Sequence, residues 1–269
     1  MPSGSVTLLE AAKCGNDVLK RGVVETIIRE SPVLEMLPFM TIQGNALKHT
    51  AEESLPTPAF RDVNETYSRS WGTDVEHYWG TAILGGEVFV DNYLVRVRGN
   101  VVDVKSRQWT KFSKAMAMTF DQYFFDGTGT AKDFKGVNNL ISEGFGQLIG
   151  AANDAANGGT LTLDDLDIAN DKLRSQALAD VCLLNRTVRR KITYLARTSV
   201  SGVTLIDVGS DVFGRQVTQW NGIPLRIVGM ATDKSEILAY DETRGSSNVT
   251  ASLYFVAFGE EENVTGLLG

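Results

Sequence analysis

The chain has 269 residues, of which 43% are hydrophobic and 22% are charged, and it carries 26 Lys and Arg against 33 Asp and Glu. These proportions are ordinary for a globular protein and exclude an intrinsically disordered chain, which combines low hydrophobicity with high net charge. The net charge of −7 also excludes a dedicated cationic nucleic-acid-binding protein. The length is sufficient for one large domain or two small ones with a substantial core.

The N-terminal segment predicts one bent helix or two short ones, because Gly15 and Gly22 interrupt the helical pattern. A capping box begins at Thr7, and apolar residues recur at four-residue spacing as far as Ile27. Ser31 and Pro32 stop this helix and start a short new one, with Ser31 as its N-cap and Pro32 at its first helical position. Pro38 is expected to end that second turn.

The next segment, residues 41–74, lacks helical periodicity and predicts an extended excursion. Residues 52–62 within it contain Pro56 and Pro58 and few apolar side chains. Strand-like segments rich in β-branched and aromatic residues flank it, at residues 39–42, 47–50, 75–83 and 87–90. A two-stranded ribbon is marginally stable in water, so we expect contacts from outside the excursion to hold it in place.

Residues 101–125 have the strongest helical pattern in the chain. Large apolar residues three and four positions apart predict one buried face: Trp109, Phe112, Met116, Phe120 and Tyr123. The stretch Asp126-Gly127-Thr128-Gly129 follows, and glycine is expected to supply a left-handed cap there. Residues 139–141 then predict a strand.

A segment rich in Gly, Ala and Asn, residues 144–159, predicts a boundary, after which helices and strands alternate. Thr162 is expected to cap a helix, with Asp164 and Asp165 in its first turn. The remaining predicted elements are a buried strand at 179–184, a helix around 188–195, a hairpin of 216–220 with 223–228 turning at Asn221-Gly222, and strands at 236–240 and 253–258.

No residue pattern in the sequence identifies a catalytic, cofactor-binding or metal-ligating site. The glycine patterns at residues 127–132 and 144–150 are incomplete as phosphate-binding loops. Cys14 and Cys182 are too few for a disulfide framework or a zinc site. No apolar run is long enough to span a membrane. We therefore expect no enzyme and no cofactor; a hydrolase that uses His49 or His77, the only imidazoles, with a carboxylate is the alternative from another class.

One short basic run stands out in the acidic chain. It consists of Arg186 and of Arg189, Arg190 and Lys191, and it falls on a predicted helix. A solvated helix face is the simplest interpretation. A contact with another subunit or with a polyanion is the alternative.

The order of these parts resembles the HK97-like major capsid proteins of tailed bacteriophages, a fold shared with herpesvirus capsid floors and encapsulins. The N-terminal helix with Ser31-Pro32-Val33-Leu34 is similar to the family's N-terminal arm, residues 41–86 to its extended E-loop, and residues 101–125 to its spine helix. Five further stretches are similar to the family's helix end and axial domain: Phe134-Lys135-Gly136-Val137, Leu161-Thr162-Leu163-Asp164-Asp165-Leu166, Cys182-Leu183-Leu184-Asn185-Arg186, Gly214-Arg215-Gln216-Val217 and Asn221-Gly222-Ile223-Pro224-Leu225. The ending Leu253-Tyr254-Phe255-Val256-Ala257-Phe258-Gly259 is similar to the strand that leads back to the peripheral domain.

The resemblance implies an α+β, HK97-like capsid fold in five parts. These parts are an N-terminal arm (1–38), an E-loop with flanking strands (39–92), a peripheral domain with the long spine helix (93–143), an axial α/β domain (144–258) and a return toward the peripheral domain (259–269). Many members continue with another strand of the peripheral domain. Either that domain is completed differently here, or the chain is truncated.

The implied function is structural. A major capsid protein of this family self-assembles into hexamers and pentamers that form an icosahedral shell, the virion capsid, around viral dsDNA. Scaffolding and portal proteins are its expected partners, the DNA is enclosed non-specifically, no membrane is involved, and assembly takes place in the host cytoplasm. An encapsulin-type nanocompartment shell is the alternative within the same fold. Some members crosslink their subunits by a Lys–Asn isopeptide bond, for which Lys48 is the only lysine in residues 39–92.

Overall fold

The computed structural model of the chain describes residues 27, 31–91, 101–130, 132–151, 157–173, 179–198, 206–210, 216–259 and 263–269. The predicted N-terminal helix that begins at Thr7 lies outside these residues. The described elements, in chain order, are α1 (Pro32–Met36), β1 (Phe39–Thr41), β2 (Ala46–Ser54), β3 (Thr73–Gly80), α2 (Val101–Asp126), α3 (Val137–Ser142), α4 (Leu163–Asp171), β4 (Val181–Leu184), α5 (Arg186–Thr198), β5 (Ile206–Ser210), β6 (Gln216–Trp220), β7 (Ile223–Ile227), β8 (Glu242–Arg244), β9 (Ser247–Thr250), β10 (Tyr254–Val256) and β11 (Gly266–Leu268).

The centre of the described structure is a mixed five-stranded sheet in the order β10-β4-β7-β6-β5. Strands β4 and β7 are parallel, and the other neighbours are antiparallel. All four residues of β4 are buried, which explains its uninterrupted apolar sequence. Val181 and Leu183 enter the core on one side of the sheet, and Cys182 and Leu184 enter the core on the other.

Helices cover both faces of this sheet, so the described residues form a mixed α and β structure. Leu166 of α4 and Val188 and Ile192 of α5 pack on one face together with Trp220 and Ile223. On the opposite face lie α1 and the C-terminal end of α2, which bring a second set of buried side chains: Val33, Leu37, Phe124 and Phe125.

Three local sequence signals give the predicted conformations. Thr162 Oγ1 accepts from the backbone N–H of Asp165, whose carboxylate accepts from the Thr162 N–H at 2.7 Å, so a full capping box starts α4. Ser31 caps α1 by accepting from the Leu34 N–H at 3.0 Å. Asn221 and Gly222 both have positive φ, 49° and 82°, as the tight β6–β7 hairpin requires.

The predicted long helix is confirmed as α2, but its most buried face is different from the predicted one. Ser113, Ala117 and Asp121 are buried, whereas Trp109 and Tyr123 are each 41% exposed. Small side chains on this face let α1 approach α2 closely, and the Ser31 hydroxyl reaches Asp121. Close approach of the two helices thus decides the buried face, and the large aromatic residues flank it.

Several strand predictions are wrong, and the predicted left-handed glycine after α2 is the second of the two candidates. Residues 139–141 belong to helix α3, because a short apolar run does not distinguish a helix from a strand. Residues 236–240 contain one isolated bridge, between Glu236 and Met230, and residues 87–90 have no strand partner among the described residues. The left-handed glycine after α2 is Gly129, with φ of 67°, whereas Gly127 continues the helical hydrogen bonding by donating to the Tyr123 carbonyl at 2.8 Å.

The C-terminal residues return to the strand that follows α1. Strand β11 pairs in parallel with β1, with Phe39 opposite Gly266 and Thr41 opposite Leu268. The Gly266 N–H also donates to the Pro38 carbonyl at 2.8 Å. This pairing brings residues 263–269 beside the predicted E-loop strands. Within the described part of the chain, no helix combines the length and the hydrophobicity needed to cross a membrane.

Candidate assembly surface

The most prominent candidate surface is the β2–β3 ribbon, residues 46–80. The two strands pair antiparallel from Ala46 opposite Gly80 to Ser54 opposite Thr73, with an irregularity between Glu52 and Ser54. The ribbon belongs to no larger sheet in the described structure. Its strands alternate as a half-buried ribbon should, and the inner face consists of Leu47, Ala51, Val75, His77 and Trp79.

The root of the ribbon docks on the body through one aromatic side chain. The Phe145 ring lies edge-on to His77 at 4.8 Å and to Trp79 at 5.2 Å between ring centroids. Lys135 Nζ lies 5.3 Å from the Trp79 ring centroid and is 2.7 Å from a Glu143 carboxylate oxygen. These contacts fix the start of the ribbon, and sequence patterns gave no sign that Phe145 would make them.

The outer face of the ribbon is polar. Lys48 Nζ donates to Glu76 Oε1 at 2.6 Å, and the Tyr78 hydroxyl donates to Glu76 Oε2 at 3.0 Å. The hydrogen bond from Lys48, and secondarily the one from Tyr78, lower the pKa of the Glu76 carboxyl. Because this pair is exposed, it contributes little to stability and leaves the face hydrated.

The tip of the ribbon, residues 55–72, exposes large apolar side chains. Trp71 is 78% exposed, and the others that are mostly in solvent are Leu55, Phe60, Val63 and Tyr67. A polar turn gives the tip its shape: Asn64 has φ of 73°, and the Asp62 N–H donates to a Glu65 carboxylate oxygen at 3.0 Å. The tip therefore carries a concentration of exposed apolar groups that is unusual for so short a segment.

A second exposed apolar strip lies beside α2. Ile83 and Phe89 are almost fully exposed, and Trp109 on the helix is partly exposed. A Cβ on Gly86 would lie 3.0 Å from the Phe112 ring, so residues 81–90 run close against this helix.

Two buried polar contacts hold α1 against α2 and β7. The Ser31 hydroxyl donates to the Asp121 carboxylate, and burial raises the pKa of Asp121 to about 7 although this hydrogen bond opposes the shift. Arg226 of β7 donates to the Glu35 carboxylate at 2.7 Å. Most of residues 31–37, the end of the predicted N-terminal arm, are therefore buried in the body.

The residues considered for catalysis fall in different places. His49 and His77 lie directly opposite each other on β2 and β3, a pairing that their sequence positions did not show. Cys182 is buried in β4, and desolvation raises the pKa of its thiol, while Cys14 lies outside the described residues. Among the residues that the structure describes, no group of three or more His, Cys, Asp or Glu is suited to hold a metal.

The incomplete phosphate-loop pattern after α2 is a turn closed by its own carboxylate. The Thr128 N–H donates to Asp133 Oδ2 at 2.7 Å, and the Thr128 hydroxyl donates to the same carboxylate at 3.1 Å. A carboxylate thus occupies the donors that a bound phosphate would need.

Comparison with known proteins finds a likeness among solved structures. No family profile matches the chain, and no curated protein matches it in sequence. A solved structure from Microbacterium phage Oxtober96 resembles the chain with a TM-score of 0.43 and 16% identity, over 88% of this chain and 91% of that chain. The chain therefore has a structural neighbour among phage proteins.

Proposed function

We propose that the chain is a major capsid protein of the HK97-like type, which self-assembles into the hexamers and pentamers of an icosahedral shell around viral dsDNA. The β2–β3 ribbon is the observation that carries this proposal. Its root is docked on its own body, while Phe60, Trp71 and the other apolar side chains of its tip face solvent. A neighbouring copy of the chain is the partner that would cover them.

The energetics of the tip support a partner. Burial of the five large apolar side chains of the tip would contribute roughly 1.5–3 kcal/mol each. Fixing the backbone of residues 55–72 costs about 1–2 kcal/mol per residue, which is more than these side chains can offset. The tip therefore gains a single conformation when a neighbour supplies further contacts.

The charge of the chain suits an enclosing shell. A protein with net charge −7 lacks the cation excess that binds duplex DNA tightly, so a genome inside the shell would remain free to be packed and released. The proposal includes scaffolding and portal proteins as partners, the virion as the location, and a structural role without catalysis.

The direct test is assembly of the purified chain, followed by size-exclusion chromatography and negative-stain microscopy. We expect rings, shells or tubes from the wild type. The tip variant Phe60→Ser/Trp71→Ser should remain dissociated although it is folded, because it removes apolar contacts to the neighbour and none to its own core. A matched variant, Tyr240→Ser/Val249→Ser, changes exposed apolar residues of the body and should assemble.

Two outcomes test the proposal and separate it from the encapsulin-type alternative. A wild-type chain that stays monomeric at every salt and protein concentration would contradict the proposal. Particles isolated from an infected or expressing cell should contain viral DNA if the shell is a capsid, whereas particles that hold a protein cargo instead would indicate the encapsulin-type compartment.

A further inference from the structure

Helix α5 carries a basic stripe on its outer side. Val188 and Ile192 are buried against the sheet, so the opposite side of the helix faces away from the core. Arg186, Arg190 and Arg197, at steps of four and seven residues, share that opposite side and are exposed. The helix contains no acidic residue, and it carries five cations in a chain of net charge −7.

Helix α4 carries an acidic stripe arranged in the same way. Leu166 and Asn170 are buried, and Asp164, Asp167 and Asp171, at steps of three and four residues, lie on the opposite side and are exposed. Burial in part, and then repulsion by Asp171 and Asp164, raise the pKa of Asp167. Asp167 therefore lies close enough to the carboxylates of Asp164 and Asp171 to be repelled by them.

The two stripes lie on neighbouring helices, but in the described part of the chain their charged side chains form no ion pairs with each other. Helices α4 and α5 contact each other and share one core against the sheet. No ion pair between described residues involves any of the six stripe side chains. Each helix buries its apolar side in the same core, so both stripes face outward on the same side of the sheet.

We propose that α4 and α5 form a head-to-tail contact between adjacent copies, in which the basic stripe of one copy faces the acidic stripe of the next. Such a contact joins two different patches and closes into a ring when the rotation between copies allows it. The stripes have comparable lengths, about 10 Å on α4 and about 16 Å on α5 at the helical rise per residue. The inference rests on the proposed function, because it requires copies of the chain to pack side by side.

A second copy fits this surface better than a nucleic acid does. A phosphate backbone along α5 would also approach Asp167 and Asp171 on the adjacent helix, and like charges would repel it. A second copy instead presents both signs of charge, so each stripe meets its complement. Complementary stripes of this kind set the orientation and the register of two partners.

Charge reversal tests the contact with two variants. Arg190→Glu/Arg197→Glu makes the basic stripe acidic, and Asp167→Lys/Asp171→Lys makes the acidic stripe basic while it leaves the Asp164 and Asp165 positions at the helix start unchanged. Each variant alone should lose the rings and shells that the wild type forms at the same protein concentration, because like stripes then face each other. An equimolar mixture of the two should recover six-membered rings, since every contact in a ring that alternates the two variants pairs opposite charges.

The mixing experiment distinguishes a contact between copies from a defect within one subunit. A clash within one subunit, or a folding defect, is not repaired by adding a different variant. A matched control, Lys132→Glu/Lys234→Glu, changes the net charge by the same amount at exposed positions outside the stripes and should assemble. If a double variant does not fold by circular dichroism, the single variants Arg190→Glu and Asp167→Lys give a milder pair with the same expected recovery on mixing.

The results also distinguish this inference from the proposed function. Wild-type chain that does not assemble would remove both. Wild type that assembles together with reversal variants that assemble equally well, or with folded variants that stay dissociated on mixing, would overturn the inference alone. Retained assembly of Arg190→Glu/Arg197→Glu together with loss of duplex DNA binding would assign the basic stripe to nucleic acid instead.

Discussion

The hydroxyl of Ser31 serves two partners at the start of helix α1. It accepts a hydrogen bond from the Leu34 N–H at 3.0 Å, which caps the helix, and it donates to the carboxylate of Asp121 on α2. Asp121 is 2% exposed, and its burial raises the pKa of the carboxyl from 3.8 to about 7. A single serine therefore orients α1 and compensates in part for a buried acid.

The raised pKa of Asp121 makes the free energy of unfolding depend on pH. Between about pH 4 and pH 7 the folded chain keeps Asp121 protonated while the unfolded chain ionises it, so its contribution to stability is present at low pH and is lost as the pH rises toward 7. We expect Asp121→Asn, which cannot ionise, to match the wild type near pH 4 and to exceed it progressively toward neutral pH. The full difference corresponds to roughly 4 kcal/mol at most.

Thermal unfolding of both proteins between pH 4 and pH 8, at one protein concentration that keeps subunits dissociated, measures this difference. Ser31→Ala is the companion variant, because it removes both the helix cap and the partner of Asp121. It should be less stable than the wild type by about 2–4 kcal/mol at neutral pH. A difference between Asp121→Asn and the wild type that does not change with pH would show that Asp121 has an ordinary pKa in the folded chain.

At the scale of elements, two glycines join the end of α2 to the start of α3. A Cβ on Gly127 would lie 2.2 Å from the Phe134 carbonyl oxygen and 2.6 Å from that of Tyr123, and one on Gly136 would lie 2.6 Å from the Gly127 nitrogen. The Gly136 N–H donates to the Gly127 carbonyl at 2.8 Å. Neither position has room for a side chain, because the neighbouring atoms belong to the backbone.

Gly127→Ala should therefore be strongly destabilising although alanine is otherwise a better helix former than glycine. We expect a loss of about 3 kcal/mol, or a fall in melting temperature of roughly 6–12 °C. Gly229→Ala is the matched control, because no atom lies within 4 Å of the position of its Cβ and its φ is not positive. An equal melting temperature for Gly127→Ala and the wild type would mean that the turn after α2 opens without cost.

Local signals in the sequence predicted the elements that local chemistry determines. The Thr162 capping box, the Asn221-Gly222 hairpin and the length of α2 depend on residues close together in the chain, and all three are confirmed. The buried face of α2 could not be predicted in this way, because it depends on Ser31 approaching Asp121 from 90 residues away.

The candidate assembly surface was likewise predicted only where it depends on residues close together in the chain. Composition and prolines predicted the ribbon strands, and they also predicted that the tip contains few core residues. The observed strands, Ala46–Ser54 and Thr73–Gly80, overlap the predicted ones. The docking of Phe145 on His77 and Trp79 was not predicted, since a single phenylalanine in a glycine-rich segment carries no periodic signal. The opposition of His49 and His77 depends on strand register, which the long tip between the strands left undetermined.

At the scale of the whole molecule, the described structure combines a well-packed sheet with extensions that lack a core. The five-stranded sheet has buried side chains on both faces, whereas the ribbon has one half-buried face and a tip in solvent. Local opening is easiest where few apolar contacts are buried, so the tip is the part expected to open first in an isolated subunit. Burial by a neighbouring copy would remove that difference between tip and body.

Limited proteolysis measures this change directly. Arg61 and Arg69 lie in the exposed tip, and trypsin should cut the dissociated subunit there before it cuts the sheet. In assembled particles the same bonds should be protected, because the tip is then packed against a neighbouring copy. Mass spectrometry of the first fragments in the two states identifies the cut bonds, and the variant Arg61→Gln/Arg69→Gln should lose those early fragments. Equal rates of tip cleavage in free and assembled protein would show that the tip either supports itself or never docks, and the assignment of the ribbon as the assembly element would fall.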